Sequence, residues 1–268
     1  MTLIVNVSRK KTPNRGDLAS APCQYFPHLK NVMYIDILDC NNDNAELIKI
    51  LNLANTIIIG GGGLLGHTKF EKEINWIGEN YGYKTVIWGA GVNSVSGKFC
   101  ENNIDLFKHV GIRDCITKYT WVPCASCLSP LFINIRGDHS TFPKNDKIGI
   151  LENNSGKNPT TLPLHNYTKA EKFGNKKVSM HEMLNFIASC GILVSNSYHA
   201  VYWAVLLKIP VIAIPTSSKF NYFKHKICLS KAEDWPNYID DCINYIYSNA
   251  LEECVDANVK FSKEIGIA

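Results

Sequence analysis

Short apolar runs that alternate with amphipathic stretches are the feature that most limits how this chain can fold. Apolar runs of strand length lie at residues 2–7, 31–37, 56–63, 84–91, 147–151, 191–197 and 209–215. Apolar side chains recur at helical spacing over residues 46–54, 70–82, 178–190 and 198–208, and again from about Trp235 to Ala268. Parallel strands that are buried on both faces have continuous apolar sequences, and helices connect them. The alternation therefore predicts an α/β fold of βα units around parallel sheets.

A polar segment near residues 134–147 interrupts this alternation. It contains Gly, Pro and Asn, which are typical of a linker, and the strand and helix pattern starts again after it. We therefore predict two αβ lobes, one over residues 1–138 and one over residues 139–268 that includes the terminal helices. In such folds a ligand binds at the carboxyl ends of the strands, in the cleft between the lobes.

The composition is that of an ordinary globular protein, with 46% hydrophobic and 19% charged residues among 268. The net charge of +4 is spread along the chain, whereas nucleic-acid binding needs a clustered basic face, so we expect no nucleic-acid partner. Leu3–Val7 is too short for the apolar region of a signal peptide, and no apolar run has the length of a transmembrane span. We expect a cytoplasmic protein that contacts the inner face of the membrane through a lipid-linked substrate or a partner.

The ten cysteines are expected to be buried free thiols, because most of them, like Cys190, lie inside apolar runs. Cys124 and Cys127 form a single Cys-x-x-Cys pair between Pro123 and Pro130, with no second pair beside it. A structural zinc site usually has four ligands. We therefore interpret the pair as structural and expect no metal.

Four glycines, residues 60–63, directly follow a predicted strand. Glycine allows the backbone to come close to a ligand, and its N–H groups can bind an anion or a sugar, so Gly61, Gly62 and Gly63 are candidate binding residues. The pattern matches neither the Rossmann fingerprint nor the Walker A motif. A tight turn without a ligand is the alternative. Because consecutive glycines lower stability through chain entropy, we favour a functional role.

Polar residues also follow the first strand, at Asn14 and Asp17. A carboxylate at the carboxyl end of a strand is well placed to act as a base or to bind hydroxyl groups. The alternative is that this segment caps the helix that follows it, and taken alone the capping role is favoured.

The segment Ser195-Asn196-Ser197-Tyr198-His199 joins a predicted strand to a predicted helix. Ser195, Asn196 and Ser197 can cap this helix, and its free N–H groups can bind phosphate or carboxylate. His199 lies in the first turn, where the positive end of the helix lowers its pKa and suits it to proton transfer. A packed core histidine is the alternative.

Two cationic side chains complete the candidates. Arg113 of Gly-Ile-Arg-Asp lies next to a strand, where its guanidinium can bind a carboxylate, or can pair with Asp114 alone. Lys219 follows the strand at 209–215, in the same predicted lobe as His199, and can reach the same anion, although a solvated loop lysine is more common.

In their order along the chain, these segments resemble the polysaccharide pyruvyl transferase family, over about residues 3–220. The matching segments are Asn-x-Gly-Asp at 14–17, GGGGLL at 60–65, WGAG at 88–91, GIRD at 111–114, VPCASCLSP at 122–130, SNSYHAVYWA at 195–204, and IPVIAIP at 209–215 with its downstream SSK. The family is similar to GT-B glycosyltransferases, which have two Rossmann-like lobes and a cleft between them. Its members use phosphoenolpyruvate to form a pyruvate ketal on a sugar, usually in a bacterial surface polysaccharide such as capsule or exopolysaccharide.

The resemblance implies roles for the candidate residues. The C-terminal lobe would bind phosphoenolpyruvate, and the glycine-rich N-terminal lobe would face a glycan or a lipid-linked oligosaccharide. His199 would protonate the enol carbon or bind the phosphate, Arg113 and Lys219 would neutralise the donor, and Asp17 would be a base. The scheme requires no metal or nucleotide cofactor. Many members carry Arg where this chain has Ser197, so donor binding shifts onto Arg113 and Lys219.

Two other functions stay open at this point. A GT-B glycosyltransferase that uses a nucleotide-sugar would also have a glycine turn and a histidine, and would add a carboxylate for the donor ribose, such as Glu233 or Asp234. A non-catalytic protein of the same fold that binds a sugar or an anion is the second, and Ser197 in place of Arg gives it some support.

Overall fold

A computed structural model describes residues 2–93, 104–115, 118–138, 146–153, 162–163, 170–175 and 177–267. The middle of the predicted linker and Cys100 lie outside these residues. Residue 139, the first of the second predicted lobe, is also outside them, so the division of the chain there stays a prediction.

The described strands are β1 (Ile4–Ser8), β2 (Val32–Asp36), β3 (Thr56–Gly60), β4 (Thr85–Ala90), β5 (His109–Ile112), β6 (Thr120–Trp121), β7 (Ile148–Glu152), β8 (Ala170–Gly174), β9 (Ile192–Ser195), β10 (Val211–Ala213) and β11 (Cys228–Leu229). The α-helices are α1 (Arg15–Leu18), α2 (Ala45–Leu53), α3 (Thr68–Tyr81), α4 (Leu131–Asp138), α5 (Met180–Ala188), α6 (Tyr198–Leu206) and α7 (Ala250–Glu264). Short 3-10 helices include Ala125–Leu128 and Ser218–Tyr222.

The first sheet has the strand order β2-β1-β3-β4-β5-β6, and all of its pairs are parallel. Its central strand β3 has the sequence TIIIG, and its three isoleucines are fully buried. Ile57 and Ile59 pack on one face of the sheet, and Ile58 packs on the other with Trp88. Burial on both faces explains the continuous apolar run, because neither face of the strand meets water.

The second sheet has the strand order β11-β10-β9-β7-β8 and is also parallel. Helix α6 connects β9 to β10, and α5 precedes β9. Leu193 and Val194 of β9 lie in different core clusters, as expected for a strand covered on both sides. The two parallel sheets confirm the predicted α/β fold.

Strand β5 was predicted only as a strand beside Arg113, without bounds. The described strands β6, β8 and β11 were not predicted from the sequence. Each lies at the edge of its sheet. Strand β8 has the polar sequence AEKFG and is half-exposed or exposed along its length, whereas β6 and β11 have two residues each. An edge strand is covered on fewer sides than a central one, so it does not need the apolar run that identifies a buried strand.

Helix α6 lies in the hydrophobic core beside the second sheet, and each of its residues is buried. A helix that is apolar on all sides is typical of such a position.

Across the described ranges, none of the helices combines the length and the apolar character that spanning a bilayer requires.

The end of α7 packs against the first sheet. Phe261 contacts Trp88 of β4 with ring centroids 5.6 Å apart. The indole Nε1 of Trp88 donates to Asn258 Oδ1 at 2.8 Å, and Asn258 Nδ2 donates to Cys254 O at 2.9 Å. Trp88 and Asn258 are both fully buried. One amide therefore satisfies the indole N–H at a place where both groups are buried from solvent.

Replacing this amide is expected to destabilise the fold. Asn258→Ala leaves the Trp88 N–H buried without an acceptor, so the free energy of unfolding should fall by about 2 kcal/mol. Urea denaturation measures the change. Lys260→Ala, at an exposed position on the same helix, is the control and should change stability by less than about 0.5 kcal/mol. Equal effects of the two substitutions would contradict this role for Asn258.

Candidate active site

The carboxyl ends of both sheets open onto one cavity of about 400 Å³. From the first sheet, residues after β1, β3, β4 and β5 line it, and from the second sheet, residues after β7, β9 and β10. Its polar and charged lining residues are Arg9, Thr12, Asn14, Asp17, His67, Lys69, Asn93, Arg113, Asn153, Ser197, Tyr198, His199 and Lys219. Parallel strands bring their carboxyl ends to one edge, which is why residues distant in sequence meet here.

His199 is the second residue of α6 and is only 5% exposed. Its ring packs on the backbone of Gly16 in α1, where a Cβ atom would overlap Nδ1. Burial, with the nearby charges of Arg113 and Lys219, holds the pKa of His199 well below its usual range. The imidazole is therefore neutral at neutral pH and can donate or accept one hydrogen bond at each nitrogen according to its tautomer.

A chain of polar contacts leads to the Nε2 atom of His199. The indole Nε1 of Trp203 donates to Ser126 Oγ at 3.0 Å, and Ser126 Oγ lies 3.2 Å from Cys124 Sγ. Cys124 Sγ in turn lies 3.7 Å from His199 Nε2. An indole N–H can only donate, so the Ser126 proton is available to the sulfur, and burial raises the pKa of Cys124, which keeps its thiol proton. We infer that this proton is directed at Nε2, which leaves the imidazole proton on Nδ1.

Arg113 follows β5 and is 3% exposed. Its guanidinium carbon lies 3.9 Å from the centroid of the Tyr198 ring, and its Nε lies 3.8 Å from Asp114 Oδ1. Nε and Nη2 are buried and have no hydrogen-bond partner among the described residues. The predicted pairing with Asp114 is thus present but leaves guanidinium donors unused, and the group lines the cavity. An arginine held this way can bind a carboxylate or a phosphate.

Asp17 and Lys219 line the cavity with Arg113. Burial, with Arg113 nearby, lowers the pKa of Lys219 to about 8, against the opposing effect of Asp17. Burial raises the pKa of Asp17 above its usual range, although Lys219, Arg9 and Arg113 oppose the shift. A carboxylate whose pKa is raised is a stronger base. A lysine whose pKa is about 8 is still mostly charged at neutral pH.

Some glycines of the turn after β3 are needed for packing, and another lines the cavity. Gly61 and Gly62 both have φ of +76°, which favours glycine. A side chain at Gly61 would overlap Ser20, and one at Gly62 would contact Asp17 Oδ1, so both allow the segment after β1 to pack closely. Gly63 lines the cavity itself. At Gly61 and Gly62, glycine is therefore required for close packing against the segment after β1.

The residues before α6 also have two different roles: two of them hold neighbouring loops, and one lines the cavity. Ser195 Oγ donates to Leu151 O at 2.6 Å and accepts from Ser197 N at 3.1 Å. Asn196 Oδ1 accepts from Asn153 N at 2.7 Å. Both side chains thus hold the loops at the strand ends. Ser197 is the N-cap residue of α6 and lines the cavity, but its side chain accepts no capping hydrogen bond.

Asn14 has both roles that the sequence left open. Its Oδ1 accepts from Gly16 N at 3.0 Å and so caps α1, while the residue lines the cavity. Seven of the predicted site residues therefore line one cavity: Asn14, Asp17, Gly63, Arg113, Ser197, His199 and Lys219.

The family model of the polysaccharide pyruvyl transferases matches residues 4–218. The chain belongs to the polysaccharide pyruvyl transferase family. The resemblance stated from the motifs is confirmed, and membership supports a transferase of polysaccharide biosynthesis. The match includes every predicted site residue except Lys219, which lies one position beyond its end. No curated protein matches the chain by sequence.

Solved structures of other proteins are similar to this pyruvyl transferase family member. HepE from Anabaena, in complex with UDP and glucose, has a TM-score of 0.51 at 10% identity and covers 100% of both chains. UDP-GlcNAc 2-epimerase from Neisseria meningitidis, bound to UDP-GlcNAc, has a TM-score of 0.48 at 9% identity, over 97% of this chain and 100% of that chain. The likeness to HepE shows a shared fold, and the predicted GT-B-like arrangement is confirmed.

Several cavity residues were not predicted from the sequence. Arg9 directly follows β1, and His67 follows the glycine turn as the N-cap of α3. The position after a strand was the available signal for both, as it was for Asp17. Cys124 contacts His199 from outside the cavity lining, and only the tertiary structure brings these two residues together.

The tautomer of His199 is directly testable. We expect its imidazole proton on Nδ1, and we expect Cys124→Ala to give a mixture of tautomers because Nε2 loses its donor. Imidazole nitrogen chemical shifts distinguish the forms, and a His199→Gln spectrum assigns the signal. Cys124→Ser should restore the wild-type tautomer, while Cys190→Ala, at another buried thiol, should leave it unchanged. A proton on Nε2 in the wild type would contradict the contact chain.

Proposed function

We propose that the protein transfers the pyruvyl unit of phosphoenolpyruvate to two hydroxyls of one sugar and forms a ketal. The acceptor is a capsule or exopolysaccharide glycan, or its lipid-linked precursor at the inner face of the membrane. The observation that carries the proposal is the buried, incompletely paired Arg113 beside Lys219 and neutral His199, in the cavity of a pyruvyl transferase family member.

The donor has two anionic groups, a carboxylate and a phosphate. Arg113 offers unused N–H donors, and Lys219 offers a charge at neutral pH. The first turn of α6 adds backbone N–H groups beside Ser197, whose hydroxyl is not used as a helix cap. These features support donor binding without an arginine at position 197. The scheme uses no metal and no nucleotide.

His199 and Asp17 are assigned the proton transfers. Binding of the anionic donor raises the pKa of His199, and the resulting imidazolium protonates the methylene carbon of the donor, which becomes the methyl group, while the central carbon becomes electrophilic. One sugar hydroxyl attacks that carbon and passes its proton to Asp17, whose raised pKa suits a base. The carbon–oxygen bond to phosphate then breaks, and the second hydroxyl attacks the same carbon while its proton passes to the departing phosphate. The products are the ketal and inorganic phosphate, and the proton left on Asp17 returns through solvent to His199.

The cavity leaves room for the acceptor on the side of the first sheet. Asn14 and Gly63 line that side, and Asp17 lies beside them. Their polar atoms and the open glycine surface suit sugar hydroxyls. We therefore assign the first-sheet side to the acceptor and the α6 side to the donor.

Incubation with phosphoenolpyruvate and a panel of glycosyl acceptors tests this proposal. We expect phosphate release with a product heavier by one pyruvic acid minus one water. His199→Ala should lower the rate by at least about 100-fold, because the proton donor is lost.

His181→Ala, at an exposed position on α5, is the matched control and should retain activity. Circular dichroism checks that both variants fold. Glycosyl transfer from a UDP-sugar without ketal formation would contradict the proposal, and so would the absence of both phosphate and ketal.

A further inference from the structure

Three basic side chains, Arg9, His67 and Lys69, line the wall of the cavity that belongs to the first sheet. Arg9 is the first residue after β1, and His67 is the N-cap of α3. We call these residues the β1–α3 cluster. The transfer scheme above gives the cluster no role, although it faces the same cavity.

Arg9 is held in place but incompletely paired. Its guanidinium carbon lies 5.2 Å from the centroid of the Phe70 ring, and its Nη2 donates to Lys11 O at 3.1 Å. Its Nε lies 3.7 Å from Asp36 Oδ2, but Asp36 already accepts three backbone hydrogen bonds. The Nε atom is buried and lacks a hydrogen-bond partner in the part of the chain that is described. A fixed guanidinium with an unused donor is stabilised by an anionic acceptor.

His67 adds a hydrogen-bond donor beside it. Its Nδ1 accepts from Lys69 N at 3.2 Å, so the neutral imidazole carries its proton on Nε2. Burial, with the nearby charges of Lys69, Lys219 and Arg9, lowers the pKa of His67 and keeps the ring neutral. Helix α3 has 14 residues, and the positive end of its dipole lies at this histidine. The Nε2–H donor and the positive end of the helix dipole both favour an oxyanion.

The cluster lies on the acceptor side of the cavity. Arg9 is close enough to Asp17 to oppose the effect of burial on its pKa, and Asp17 is the residue assigned to the acceptor hydroxyl. Arg113, which is assigned to the donor, is a second arginine that has buried donors without a partner among the described residues, and it follows a different strand. Two such groups on separate elements favour two separate anions.

We propose that the β1–α3 cluster binds an oxyanion carried by the acceptor, next to the hydroxyls that receive the pyruvyl unit. This oxyanion is either the carboxylate of an acidic sugar or a phosphate attached to the sugar. The inference rests on the proposed function, since it takes the donor to occupy the side of Arg113. It makes the substrate class an anionic rather than a neutral glycan.

Sulfate is the first probe, because it needs no knowledge of the sugar. Protein saturated with phosphoenolpyruvate is titrated with sulfate while its melting temperature is measured, and sodium chloride of equal ionic strength is the control. We expect sulfate to raise the melting temperature further. In Arg9→Gln the apparent affinity for sulfate should fall roughly tenfold, since one charged contact is lost.

Lys10→Gln is the matched control. Lys10 is exposed, its Nζ donates to Tyr34 O at 3.2 Å, and it lines a different cavity. The Lys10→Gln substitution removes one positive charge, as Arg9→Gln does, but from the adjacent position. The affinity of this variant for sulfate should therefore stay at the wild-type value. Equal losses in both variants would show a general effect of net charge and would overturn the cluster as a site.

Sugars then identify the source of the oxyanion. Glucuronate and galacturonate are compared with glucose and galactose, and with glucose 1-phosphate and galactose 1-phosphate, on the donor-saturated protein. Tighter binding of the acids supports a carboxylate, and tighter binding of the phosphates supports a phosphate, if Arg9→Gln removes the difference. Sulfate binding without preference for either anionic class would overturn the assignment to the acceptor.

Two further results separate this inference from the proposed function. Weaker binding of phosphoenolpyruvate in Arg9→Gln, with no effect on sulfate, would place the cluster in the donor site and overturn the inference alone. Failure of phosphoenolpyruvate to stabilise the wild type, with sulfate binding that still depends on Arg9, would contradict the proposed function but leave the cluster as an oxyanion site.

Discussion

Arg113 holds a buried positive charge where the two sheets meet, and the rest of the cavity is organised around it. Strand β5 of the first sheet delivers the guanidinium to Tyr198, at the start of α6 beside the second sheet. Gly91 leaves space for it, because a side chain there would overlap the guanidinium. Burying a charge costs several kcal/mol unless it is paired. The aromatic ring and Asp114 compensate in part, and an anionic ligand would complete the pairing.

The same charge helps to set the protonation states around the cavity. Together with burial, it lowers the pKa of His199 and of Lys219. It opposes the effect of burial on Asp17 and on Asp114, whose pKa burial nonetheless raises to about 6. The cavity therefore has a neutral histidine, a lysine that loses its proton at mildly alkaline pH, and a carboxylate suited to act as a base. Binding of an anion would raise the pKa of both His199 and Lys219.

Part of this arrangement could be predicted from the sequence. Buried strands such as β3 were recognisable because both faces are covered, and residues after strands, such as Asp17, were candidates because parallel strands end together. Edge strands such as β8 carry no apolar run and were missed. Gly61 was predicted to face a ligand, which stays a prediction, and no sequence pattern indicated that it also makes room for Ser20. The contact of Cys124 with His199 joins elements far apart in sequence, and no local pattern indicates it.

The affinity for phosphoenolpyruvate between about pH 7 and pH 10 tests the central claim most directly. The pKa of Lys219 is about 8 in the free protein, and a bound anion raises it, so protonated Lys219 favours binding. Calorimetric titration should therefore show affinity that falls as the pH rises through about 8. Lys219→Arg should keep its affinity over this range, because arginine stays charged. An affinity independent of pH in the wild type, or an equal decline in Lys219→Arg, would contradict the donor site described here.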